Sequence, residues 1–219
     1  MPNPRIENNH YSVNNRPIEL YVFGKSPKTA LVMSAVHGDE PDGVHVVNSM
    51  LASLTEMPHG SLGDTRVVLL PVANPDGHAA GTRSNANGID LNRNFPDKLF
   101  GTGETSGKFF GGTTAASEPE TRAIMDIIAR FEPYLIISLH AAMACVNYNG
   151  PSLEVAERIS AATGLPVTGD IGYPTPGSMG NYYGFDRDIP LITLELPPEV
   201  PDPAAYARVL LDILGLARP

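Results

Sequence analysis

His37, Gly38, Asp39 and Glu40 end an apolar run, ALVMSAV (30–36), and open an amphipathic one. An imidazole and a carboxylate three apart at a helix start share a face, one turn apart. Both side chains suit zinc, and a third ligand would complete a catalytic site with one open position. The same tetrapeptide also reads as an acidic helix cap with His37 as a bystander, and four residues do not decide between the two. His140, the last residue of PYLIISLH (133–140), is the natural third ligand. A histidine ending an apolar strand reaches the edge of an α/β sheet where ligands gather, although a buried histidine bonded to backbone gives the same pattern. The other histidines are poorer candidates: His10 in an N-terminal tail, His45 inside the first helix, His59 in a Pro-Gly loop and His78 in an irregular segment.

Two further stretches carry chemistry. TRSNANGIDLNRNFP (82–96) packs Arg83, Asn85, Asn87, Asp90, Asn92, Arg93 and Asn94 together with few apolar residues. Arginine forks grip carboxylates bidentately and asparagines add donors, so the loop reads as an anion site. A solvated Asn/Asp turn network has the same composition. Glu195 stands in ITLELPP (192–198). A glutamate in an apolar strand is costly to bury unless it is paired or functional. Beside a zinc ion it can take a proton from water and pass it to a leaving amine; on an edge strand it would merely face solvent.

These residues need a scaffold that brings distant segments to one edge. Residues 17–23, 30–36, 66–72, 133–140 and 190–196 read as strands. Residues 40–56, with Val44, Val47, Met50, Leu51 and Leu54 at helical spacing, read as a helix, as do 117–131, 151–163 and about 203–216. Ser117 is the expected N-cap of the second, with Glu120 as its capping-box partner and Pro119 in the first turn. Residues 74–114 and 169–184 read as irregular. A 40-residue irregular stretch inside a domain is usually functional. Alternating strands and helices predict a single α/β domain over residues 1–219, with a mixed, mostly parallel sheet flanked by helices. The length of 219 residues allows a full core, and 21 Gly with 21 Pro exclude a helical bundle. The net charge of −9 argues against nucleic-acid or anionic-membrane partners. One cysteine, Cys145, excludes a disulfide framework. The first residues, MPNPRIENNHYSVNN, lack the features of a signal peptide, which makes the cytoplasm the expected compartment.

The ordered set His37-x-x-Glu40, Asn92-Arg93, His140 and Glu195 resembles the zinc metallocarboxypeptidase family. NPDG (74–77), SEPET (117–121), GYPTPGS (172–178) and ITLELPP resemble its branch that hydrolyses murein tripeptide. The resemblance spans roughly residues 10–200. It implies the family's twisted sheet and one zinc held by His37, Glu40 and His140. It implies Glu195 as general base and acid, Arg83 as oxyanion partner, and Asn92 and Arg93 on a terminal carboxylate. Tyr173 would cap the substrate, with Tyr182 and Tyr183 close by. The implied activity is hydrolysis of the γ-D-glutamyl–diaminopimelate bond of a small peptide during cell-wall recycling, by a monomer or homodimer. One departure stands out. Ala141 and Ala142 follow His140, and no acid precedes Glu154, where the branch carries acidic residues able to hold a second amine. The alternatives are a zinc deacylase of the succinylglutamate desuccinylase or aspartoacylase type, and a non-catalytic peptidoglycan-fragment binder.

Overall fold

A computed structural model describes residues 4–58 and 60–216 of the chain, so His59 lies outside the described residues. Eight strands among them form one sheet: β1 (Arg5–Tyr11), β2 (Pro17–Phe23), β3 (Thr29–Ser34), β4 (Arg66–Leu70), β5 (Leu135–Ala141), β6 (Cys145–Asn149), β7 (Val167–Thr168) and β8 (Leu191–Leu196). Their order is β1-β2-β4-β3-β5-β8-β6-β7. The centre, β4-β3-β5-β8, is parallel. β1, β2 and β6 pair antiparallel with their neighbours, and β7 runs parallel to β6. β3 is buried along its whole length, as a parallel strand covered on both faces must be. β2 alternates, burying Ile18, Leu20 and Val22.

Helices cover both faces: α1 (Asp42–Glu56), α2 (Pro75–Ala80), α3 (Pro119–Phe131), α4 (Leu153–Thr163) and α5 (Pro203–Ile213). One core lies under α1, α4 and α5, with Val47, Met50, Leu54, Ile159 and Leu210 against the sheet. The other lies under α3 and the long loop, where Ile124 and Ile128 pack with Leu91 and Phe95. Met50 and Leu54 are fully buried, so truncating either to alanine costs about 2–5 kcal/mol.

The connections from β3 run to β4 on one side, while β5 lies on the other. That reversal opens a crevice at the carboxyl ends of β3 and β5. His37 follows β3, and His140 and Glu195 stand near the ends of β5 and β8.

Several local expectations change. The N-terminal tail is strand β1, and His10 lies on it. The first helix starts at Asp42, so His37 and Glu40 occupy a turn before it rather than a helical face. Glu40 N–H bonds His37 O at 3.3 Å and closes that turn. Gly38 is required there, because a Cβ would stand 2.0 Å from the backbone of Gly77. The capping box at α3 does not form. Glu118 is the N-cap, without a side-chain bond to the helix. Glu120 instead accepts the N–H of Val13 and the amide of Asn85. The irregular stretches hold α2, a 3₁₀ turn at Leu91–Arg93 and a π-helical segment at Gly180–Phe185. The short strands β6 and β7 follow runs too brief to carry a period.

Candidate active site

The central donors converge from two segments, the turn after β3 and the end of β5. His37 Nδ1 lies 2.9 Å from Glu40 Oε1 and 3.1 Å from His140 Nδ1, and His140 Nδ1 lies 3.0 Å from Glu40 Oε2. All three residues are buried. Their outer atoms are held as well. His37 Nε2–H donates to Asp90 Oδ1 at 3.0 Å, and His140 Nε2 lies 3.1 Å from Ser138 Oγ. The Asp90 carboxylate can only accept, which puts the His37 proton on Nε2 and turns its Nδ1 lone pair to the centre, where His140 Nδ1 also points. Ala141 N–H steadies Glu40 Oε2 at 3.2 Å.

This donor set fits zinc. Ligands at zinc's usual bond length of about 2.0–2.1 Å, arranged tetrahedrally, stand roughly 3.3 Å apart, close to the separations here. Charge points the same way. Burial would raise the pKa of Glu40, but His140 and His37 hold it well below the carboxylate range. Burial would likewise raise Asp90, and His37, Arg83 and Arg93 outweigh it. His37 is pulled up by Asp90 and Glu40 against the lowering effect of burial. Two ionised carboxylates around two imidazoles make a buried centre that favours a cation. Among the described residues, His37, Glu40 and His140 are the one cluster able to hold a metal.

The centre opens into a cavity of about 600 Å³. Its floor is the sheet. Glu195 stands beside His140 in the β5–β8 register, and Thr193 sits opposite Asn147 in the β8–β6 pair. Side chains alternate along β8, so Glu195 and Thr193 line the cavity while Leu194 and Leu196 enter the core under the helices.

The long loop supplies the cations. Its asparagines are not a solvated network but hold together a buried platform. Asn85 donates to Glu118 and Glu120 at 2.8 and 2.9 Å, and Asn94 donates to the carbonyls of Gly111 and Thr114. Arg83, Asn92 and Arg93 project from this platform into the cavity. Arg83 places Nε and Nη2 on Asp90 Oδ2, both at 3.0 Å, while Nη1 stands 3.5 Å from Glu40 Oε1 beside the donor centre. Asn92 accepts Met179 N–H at its side-chain oxygen, leaving its NH₂ group as the donor. The Arg93 backbone is clamped between Gly111 and Gly177, where a Cβ on either would come within 2.0 Å of its carbonyl. GYPTPGS therefore backs LNRNFP directly. Burial lowers the Arg93 pKa, opposed by Asp90 and by Tyr173. Phe109 lies under both guanidinium groups, 5.1 Å from Arg83 and 5.4 Å from Arg93, with Tyr173 at 6.1 Å.

Tyr173 is 42% exposed at the cavity wall. Tyr182 and Tyr183 are buried against Phe95 and each other, which removes them as substrate caps. Ser138 and Phe109 are site residues that the sequence reading did not single out, and Asp90 stood there only as one member of the Asn/Asp-rich loop, without a role of its own. The one signal for Asp90 is its place directly before LNR; its burial and its histidine partner are visible only in the fold. Ser138, inside an apolar strand, and Phe109, in a loop without periodicity, had none.

The sequence profile of the zinc carboxypeptidase family matches residues 4–155. The chain belongs to the zinc carboxypeptidase family. By that membership it is a hydrolase of a zinc-dependent family. It is 37% identical to murein peptide amidase A of Escherichia coli strain K12 over 191 residues, covering 82% of this chain and 76% of the relative. It superposes on the crystal structure of murein-tripeptide amidase from Escherichia coli O157 with a TM-score of 0.82 at 30% identity, covering 100% of this chain and 94% of that one. The carboxypeptidase A of Helicoverpa armigera shares the fold, at TM-score 0.84 and 18% identity over 98% of this chain and 68% of that one. The mixed sheet flanked by helices is thus the zinc carboxypeptidase fold. No helix among the described residues is long and apolar enough to cross a membrane.

Proposed function

We propose that this zinc carboxypeptidase-family chain is a murein tripeptide amidase, a single catalytic domain cleaving the γ-D-glutamyl–meso-diaminopimelate bond in the cytoplasm. The observation that carries this reading is the 37% identity to murein peptide amidase A over most of both chains. His37, Glu40 and His140 would hold one zinc per chain. Bound there, zinc polarises the scissile carbonyl and activates water for attack.

The chain's own groups do the rest. Glu195, beside His140 on the cavity floor, accepts the proton of the attacking water and returns it to the departing amine. Arg83 has one edge fixed on Asp90 and Nη1 near the donor centre. It meets the developing oxyanion without having to reorganise. Asn92 and Arg93 grip the free carboxylate of the terminal residue, a charge-assisted contact in a largely buried setting. Tyr173 caps the substrate from the wall. The zinc-loaded protein, offered L-Ala-γ-D-Glu-meso-diaminopimelate and N-acyl amino acids in parallel, should turn over only the tripeptide. Turnover of the acyl amino acids alone would replace this reading with the deacylase.

A further inference from the structure

One carboxylate in the cavity has no part in the chemistry above. Among the described residues lining it, Asp170 is the one carboxylate besides Glu40 and Glu195. It follows the edge strand β7 by two residues. Its position is fixed. Oδ1 accepts Gly172 N–H at 2.8 Å, its own N–H donates to Thr168 Oγ1 at 3.2 Å, and the Thr168 hydroxyl donates to its carbonyl. Asn147, on the cavity floor, donates to Thr168 O at 3.1 Å. Carboxylate and floor amide are therefore tied to the same two-residue strand. Oδ2 has no hydrogen-bond partner among the described residues.

The cavity's cations stand elsewhere, on Arg83, Arg93 and Lys108 of the long loop. A terminal residue whose α-carboxylate lies on Arg93 and whose amide lies at the donor centre must send its side chain into the remaining space. That space is floored by Asn147, Asn149 and Thr193. An apolar side chain would cover these polar groups and leave their remaining donors and acceptors unmatched. A basic side chain alone would use the carboxylate and leave the amides. A side chain ending in both an ammonium and a carboxylate uses all of them. The segment after His140 supplies no acid for this purpose.

We propose that Asp170 is the specificity residue that recognises a second ammonium group on the terminal residue of the substrate. This rests on the amidase reading for which end of the substrate enters. Asp170 is exposed to solvent in the cavity, so its contact is screened and its expected weight is about tenfold in affinity rather than a hundredfold.

The test is calorimetric titration of the zinc-loaded protein with free meso-diaminopimelate and with 2-aminopimelate, which lacks only the second amine. The wild type should bind the diamino acid about tenfold more tightly. Asp170→Asn keeps the Oδ1 acceptor of the turn while removing the charge. It should bind both ligands alike, with its affinity for 2-aminopimelate unchanged, and Asp170→Glu should recover part of the preference. A wild type without preference, or binding neither ligand, overturns the proposal, as does an equal loss of both ligands in Asp170→Asn. Cleavage is not read in this titration. A failure of the protein to hydrolyse the tripeptide would therefore fall on the amidase reading and be seen separately.

Discussion

Asp90→Asn is the substitution that most sharply probes how the donor centre is held. Asp90 is fully buried. Oδ1 accepts from His37 Nε2 and from Asn92 N–H, and Oδ2 accepts from Arg83 Nε and Nη2. All of these partners are donors, so asparagine has no orientation that satisfies them. With its NH₂ toward Arg83, two charge-assisted contacts vanish, each of the class worth about 1.5–3 kcal/mol. With its NH₂ toward His37, Nε2 must become the acceptor, and the proton moves to Nδ1, where it faces the donor centre. Either way the centre binds cations less well. Loss of such an outer partner typically costs 10–100-fold in metal affinity. The assay is competition for zinc between the metal-free protein and a chromophoric chelator, with circular dichroism to verify the fold. The zinc Kd of Asp90→Asn should rise by roughly 10–100-fold. A folded variant with a Kd within about twofold of wild type would refute the argument that Asp90 sets the His37 tautomer.

His140→Ala should lose stoichiometric zinc and all turnover, because three protein ligands leave no spare; elemental analysis alongside an activity assay checks this. Glu195→Gln preserves shape and should retain zinc while kcat falls by roughly 10²–10⁴-fold; a near-normal kcat would reassign Glu195 to the sheet. Arg93→Ala should lower kcat/KM on the free-acid tripeptide by about one to two decades. The amidated peptide should be a poor substrate for wild type and nearly indifferent to the change, so equal cleavage of the two peptides by wild type would remove the carboxylate anchor.

The central strands and the large helices were legible because their periods are long and unambiguous: β3 is apolar throughout, and α1 repeats its core positions every three or four residues. β1 was missed because RIENNHY is polar and largely exposed, stabilised by ladder bonds to β2 rather than by burial. β6 and β7 were missed because their pairing, not their composition, makes them strands. Ser117 read as a cap since the local sequence fits one. Tertiary structure diverts it to Asn94 and Glu118, and gives Glu120 to Val13 and Asn85. At the site, residue types announced the inner donors, because His37, Glu40 and His140 each end or follow an apolar run. The partners that orient them did not announce themselves. Asp90 comes to His37 from 53 residues away, a distance that only the folded platform closes. Phe109 stands in a loop without periodicity, and only the fold brings its ring under two guanidinium groups.

The most direct test of the whole account is to identify which bond is cut. L-Ala-γ-D-Glu-meso-diaminopimelate is incubated with the zinc-loaded wild type, with Glu195→Gln as the blank, and the products are identified by mass. The account predicts free diaminopimelate and L-Ala-D-Glu from the wild type and almost none from the variant. Release of free alanine, or an intact tripeptide after prolonged incubation with zinc-replete enzyme, would contradict it.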